Sequence, residues 1–199
     1  MKFSYTCSLG HFCHSSTILK QNKLKLCSYP FDWMQSSYNN VIHCIKDDFN
    51  IFLDKSYYRT ITNKQCEHSY YNMMFTQRNP LMYQNDYTYY IRCVDRFKNL
   101  LQNKGTKLFI TINANNDSID ENIMHNMIEF NNTFGLYTDN YVLLIIYHIK
   151  NKKQNYHKIT IKGNIHFLEL HTTSISNGVS FTNFSDNAYL YNVIETMYK

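Results

Sequence analysis

The chain has 199 residues, 44% hydrophobic and 16% aromatic, with a formal net charge of +5. That length suits one domain (1–199) with a substantial core. The charge is too mild for a nucleic-acid-binding face, since Lys20, Lys23 and Lys25, and then Lys150, Lys152 and Lys153, read as solvated loop or helix-end clusters. No apolar run spans a bilayer: the best, Tyr141 to Ile149, has about half the length required, so no membrane partner is expected.

Phe3, Tyr5 and Cys7 alternate with polar residues, as in a short strand. Ser8-Leu9-Gly10 breaks that pattern, and Gly10 permits a tight turn. From Phe12 the spacing becomes helical, with Cys13 in the first turn and His11 and His14 beside it. Free amides and the helix dipole there should lower the pKa of the thiol. Pro30 forces Tyr29 into an extended conformation, and Phe31, Trp33 and Met34 are apolar enough to fold back beside the first turn. Asp32 then either caps the following helix or is a partly buried carboxylate available for catalysis.

Val41, Ile42, Ile45 and Phe49 mark the next helix, and Ile51-Phe52-Leu53 is read as the start of a strand. The tyrosine-rich stretch 57–82 is a β-hairpin or an irregular excursion ending before Pro80. Tyr87, Tyr90, Ile91, Val94, Phe97, Leu100 and Leu101 predict an amphipathic helix over 84–103, closed by Gly105. Lys107 to Ile112 and Tyr141 to Tyr147 are continuous apolar runs, the mark of strands buried on both faces. Between them lie a polar loop, 113–120, and a helix from Ile119 to Phe130 capped by Ser118 or Asp120. Residues 157–161 and 165–170 read as strands, and 185–198 as a final helix.

This order predicts an α/β fold: three layers, a mostly parallel central sheet flanked by helices. In such sheets the strands' carboxyl ends carry the site. They would deliver His11 and Cys13 from the first strand, Asn113 and Asn115 from the second, His148 from the third, and His171 and Thr172 from the last. A thiol and two histidines at one edge suggest covalent catalysis, an imidazole taking the thiol proton while an Asn or Asp orients the ring.

Six cysteines, none with C-x-x-C spacing, exclude a zinc knuckle or a dithiol redox motif, and no H-E-x-x-H is present. No metal or cofactor is expected. The first residues lack a sustained apolar core of signal-peptide type, which points to a reducing, cytoplasmic setting.

Ser8-Leu9-Gly10-x-x-Cys13 followed by Ser28-Tyr-Pro-Phe-Asp-Trp33 resembles an uncharacterised family of bacteria and large DNA viruses described as papain-like cysteine peptidases. Tyr90-Ile-Arg92-x-x-x-Arg96-Phe97 and Asp186-Asn-x-Tyr-Leu190 are similar too. The resemblance implies Cys13 as nucleophile, with Asp32 and Trp33 in the framework of the site. It also marks a departure: members carry a histidine near the end of the 70–79 segment, where this chain has Thr76-Gln77-Arg78. His68, His148 or His171 must then substitute, or the protein binds without cleaving. The Asn, Lys and Tyr bias resembles giant-virus proteins, which implies the host cytoplasm or the virion.

Two functions follow as expectations. One is a thiol hydrolase acting on peptide or isopeptide bonds through Cys13, with His148 or His171 as base and Asp32 in support. The other is a degenerate, non-enzymatic module that binds a host protein, for which exposed tyrosines are suited. A serine esterase ranks below both, because Ser8 precedes the turn rather than opening the helix.

Overall fold

Runs such as Leu108–Ile112 and Tyr141–Ile149 have no polar face to offer water, so they are stable only with a layer on each side. A computed structural model describes residues 2–198 and places both runs at the centre of a sheet. The elements are β1 (Tyr5–Ser8), α1 (His14–Gln21), β2 (Met34–Gln35), α2 (Tyr38–Lys46), α3 (Asn50–Leu53), β3 (Tyr58–Thr62), β4 (Gln65–His68), β5 (Met73–Phe75), α4 (Gln84–Gln102), β6 (Lys107–Asn116), α5 (Ile123–Phe134), β7 (Tyr141–Ile149), β8 (Tyr156–Lys162), β9 (Ile165–His171) and α6 (Phe184–Tyr198).

The main sheet has the order β1-β6-β7-β9-β8. β1, β6, β7 and β9 are parallel, and β8 closes one edge antiparallel to β9. Alternate residues of each strand serve different layers. Leu108, Ile110 and Ile112 meet Ile18 and Leu19 of α1 and Leu190 and Ile194 of α6. Phe109, Leu143 and Ile145 belong to the opposite core, with Val94 and Phe97 of α4 and Met127, Phe130 and Phe134 of α5. This is the three-layer α/β arrangement expected. No helix among the described residues is long and apolar enough to cross a membrane.

The tyrosine-rich excursion is a second, antiparallel sheet of order β2-β5-β4-β3. Its inner face joins the larger core through Cys66, Met73 and Phe75, beside Phe31, Phe49 and Phe52. Two local expectations are corrected here. Ile51–Leu53 is a helical turn, not a strand, because Asp47 accepts the Ile51 amide at 2.6 Å and turns the chain. β6 runs on to Asn116 instead of ending at Ile112, since β7 continues to pair with it through Asn113 and Asn116. α5 therefore starts later than expected, after Asn122 rather than Ser118 or Asp120.

Candidate active site

The first turn is built by glycine and hydroxyls. Leu9 still donates to Ile110 O (2.9 Å), and then Gly10 adopts φ +80°. A Cβ at Gly10 would lie 2.1 Å from Ser36 Oγ and 3.1 Å from Phe31 O, so no larger residue fits. Ser15 Oγ donates to Gly10 O at 3.1 Å and accepts from Ile112 N at 3.1 Å, tying α1 to β1 and β6. Cys13 thus stands at the N-cap of α1, one residue before its first turn.

The Cys13 side chain is only 7% exposed, yet it lines a cavity of about 410 Å³ with Ser28, Trp33, Gln77, Arg78, Tyr89 and Val179. Its sulfur lies 3.3 Å from Thr76 Oγ1. The Thr76 hydroxyl donates to Trp33 O at 2.9 Å. With that proton committed, the thiol is the donor to Thr76, which favours its protonated form. Burial pushes the Cys13 thiol up, and the Asp32 charge adds to the effect; a hydrogen bond received from Thr76 would oppose it. The thiol is therefore raised, not lowered as the helix start alone led us to expect, and desolvation is the largest cause.

Among the described residues lining this cavity there is no imidazole. His148 is fully buried within β7. Its Nδ1 accepts from Asn115 N at 3.0 Å, so Nε2 carries the proton and donates to Thr172 Oγ1 at 2.7 Å. The Thr172 hydroxyl in turn donates to Ser174 O at 2.8 Å. Burial brings His148 down to about 4. His171 ends β9, stacked on Tyr156 at 3.8 Å, with Nε2 2.6 Å from Glu169 Oε1. His14 turns to Ser176 Oγ (2.9 Å), and burial, with the neighbouring His148, lowers it to about 3. His11, at φ +75°, stacks on Tyr38 and lines a separate cavity of about 290 Å³.

Asp32 is fully buried. It does not cap α2; Ser37 does, accepting from Asn40 N at 3.2 Å. The Asp32 carboxylate instead receives the Lys25 ammonium and the Tyr29 amide (2.7 Å), which closes the 25–33 loop. Burial pushes its carboxyl up, against the pull of Lys25. Asn113 is bonded through its backbone carbonyl to Asn116. Among the described residues no group of three or more His, Cys, Asp or Glu side chains is placed to hold a metal ion.

The carboxyl-edge rule brought Cys13 to a cavity but missed the cavity's other walls. Gln77 and Arg78, with Thr76 beside the sulfur, follow β5 of the smaller sheet; only the stretch where the resemblance broke pointed to them. Arg78 pairs with Asp86 Oδ1 (2.7 Å) and lies 3.9 Å over the Tyr89 ring. Val179 comes from the connection between β9 and α6, where Gly178 O accepts the His14 amide at 2.8 Å. A larger cavity, about 700 Å³, lies elsewhere, between α2 and α5, and its imidazole, His43, is bonded to Tyr71 OH at 2.9 Å. We take the Cys13 cavity as the site because it joins a nucleophile type to a helix start.

No curated protein and no solved structure matches this chain. One family model does, over residues 4–162, and it covers both the Cys13 turn and the Thr76–Arg78 stretch. The chain belongs to the family described as "Putative papain-like cysteine peptidase".

Proposed function

We propose that this chain is a polypeptide-binding member of its family that does not hydrolyse its ligand, and that the ligand lodges in the Cys13 cavity. One observation carries the reading. The group beside the Cys13 sulfur is a threonine hydroxyl at 3.3 Å that already donates to Trp33 O. A hydroxyl in that state cannot take the thiol proton near neutral pH, and a thiol raised by burial is a poor nucleophile. The ligand class is an extended segment of another protein, a host protein if the chain is viral. A reducing cytoplasmic setting goes with this reading, since all six cysteines are free.

The competing reading is a thiol hydrolase. Cys13 would attack a peptide or isopeptide carbonyl, His148 or His171 would take the thiol proton, and Asp32 would support the site. The sulfur's place at the N-cap of α1, open to a cavity, favours it. Against it, the acceptor nitrogen of His148 is occupied by Asn115 N, and Asp32 is held by Lys25.

The test compares the wild type with Cys13→Ala and Thr76→His. We expect no cleavage of a peptide and isopeptide library by the wild type, read by mass spectrometry. In Thr76→His an imidazole stands beside the sulfur, and iodoacetamide labelling of Cys13 at pH 7 should rise by about tenfold or more. Cleavage by the wild type that disappears in Cys13→Ala overturns the proposal and returns the base role to His148 or His171.

A further inference from the structure

A second cavity, about 330 Å³, abuts the first, and the two share Ser28 and Trp33 as a common wall. Together they form a cleft with Arg78 towards one end and Lys20 and Lys25 at the other. No Asp or Glu is among the described residues that line either cavity. A fourth cation, Arg96 of α4, reaches the shared wall by donating to Ser28 O at 3.4 Å.

The two carboxylates that pair with lining residues of this cleft are already engaged. Asp32 is buried and held by Lys25 and the Tyr29 amide. Asp86 is held by Arg78 and by Asn79 N at 3.0 Å. That accounts for Lys25 and Arg78. Lys20 and Arg96, both exposed, have no carboxylate partner among the described residues. The walls between them are aromatic: Lys25 lies 5.7 Å from the Trp33 ring and Arg78 3.9 Å from the Tyr89 ring.

We propose that the occupant of this cleft is an acidic polypeptide segment, its main chain crossing Trp33 and its carboxylates facing Lys20 and Arg96. This rests on the reading of the Cys13 cavity as a binding site and names its ligand class. A polypeptide fits better than a nucleic acid. Two unmatched cations are too few to track a phosphate backbone, and each cavity is of a size for one or two side chains. The Gln77 amide offers a donor and an acceptor to a peptide group.

Trp33 is the only tryptophan of the chain and stands in the wall shared by both cavities, so its emission reports the cleft directly. The full chain is titrated at low salt with a ten-residue glutamate peptide, a ten-residue glutamine peptide and a single-stranded oligothymidylate. The glutamate peptide should change Trp33 emission saturably, with an affinity that falls as salt is added. Lys20→Glu and Arg96→Glu should each weaken it by about tenfold or more. Lys162→Glu makes the same change of charge at the opposite end of the sheet, beside the amino end of β9, and should leave binding within about twofold.

A glutamine peptide or oligothymidylate that binds as tightly as the glutamate peptide overturns the proposal. So does an effect of Lys20→Glu and Arg96→Glu no larger than that of Lys162→Glu. Cleavage of a peptide by the wild type would end the non-hydrolysing reading and leave this charge preference standing, so the two failures are distinct.

Discussion

Asp32 has no exposed surface, and a lone carboxylate there would be costly. Lys25 supplies the opposite charge, and the Tyr29 amide adds a hydrogen bond. Lys25→Met should destabilise the protein by about 3 kcal/mol, because it strands a buried charge. A second change in the same chain, Asp32→Leu, should recover at least half of that loss. Urea unfolding of the single and double variants checks this; a Lys25→Met midpoint equal to the wild type would mean the pair is ornamental. Residue type alone left Asp32 open between a helix cap and a catalytic acid. The cap is not formed, because the carboxylate's partner, Lys25, lies on the other arm of its own loop and Ser37 caps α2 instead. Thr76 makes the converse case. The sequence marked it only as part of the stretch where the family's histidine is missing, and its place beside the thiol arises because the chain after β5 carries it to 3.3 Å from a sulfur 63 positions away.

The connection between β9 and α6 matters at the scale of elements. Asn115 grips it with both ends of its amide, accepting from Ser176 N at 2.7 Å and donating to Ser176 O at 2.8 Å. Phe181 sits between His14 and His148, at 4.7 and 4.6 Å between ring centroids. These contacts set Val179 in the wall of the Cys13 cavity and bring Gly178 O to the His14 amide. Asn115→Ala should cost about 2 kcal/mol and let the connection open more often. Labelling of Cys13 by iodoacetamide should then accelerate, by about tenfold for each 1.4 kcal/mol of loosening. An unchanged rate would show that the connection does not gate the sulfur. The elements that frame this region were legible locally, β6 and β7 as continuous apolar runs and α4 as a helical period. The connection was not: residues 172–183 have no period, and their order comes from hydrogen bonds to residues far away in the chain.

Over the whole molecule, several imidazoles are held below their ordinary pKa by partial or complete burial. Burial lowers His11, His68 and His166 as well as His14 and His148. Such a group binds a proton in the unfolded chain below about pH 6.5 and refuses it in the folded one. Stability is therefore lost as pH falls from 6.5 towards the folded values, about 4 for His148 and about 3 for His14. Asp32, raised by burial, acts in the opposite sense, since its folded form is relieved by acid. For Asp186, burial alone would raise the carboxyl, but hydrogen bonds from Ser174 and Thr173 outweigh it, and their contribution is lost only below about pH 3.8. The net expectation is a fall in the urea midpoint between pH 6.5 and 4, with His148 alone contributing on the order of 3 kcal/mol. His148→Gln should be less stable at pH 7 and visibly flatter across that window. An equal slope in wild type and variant would place the titration elsewhere.

Local spacing was enough to give the layered α/β class, the buried central strands and the thiol at the start of a helix. Those depend on local spacing: two-sided apolar runs demand two covering layers, and Gly10 allows the turn that opens α1. The tertiary structure decided what surrounds the thiol. Burial raises Cys13, Asn115 and Thr172 occupy His148, Lys25 holds Asp32, and the stretch after β5 brings Thr76 to the sulfur and Arg78 to the cavity wall. Each depends on which distant residues meet in space, and on desolvation, which no spacing along the chain encodes.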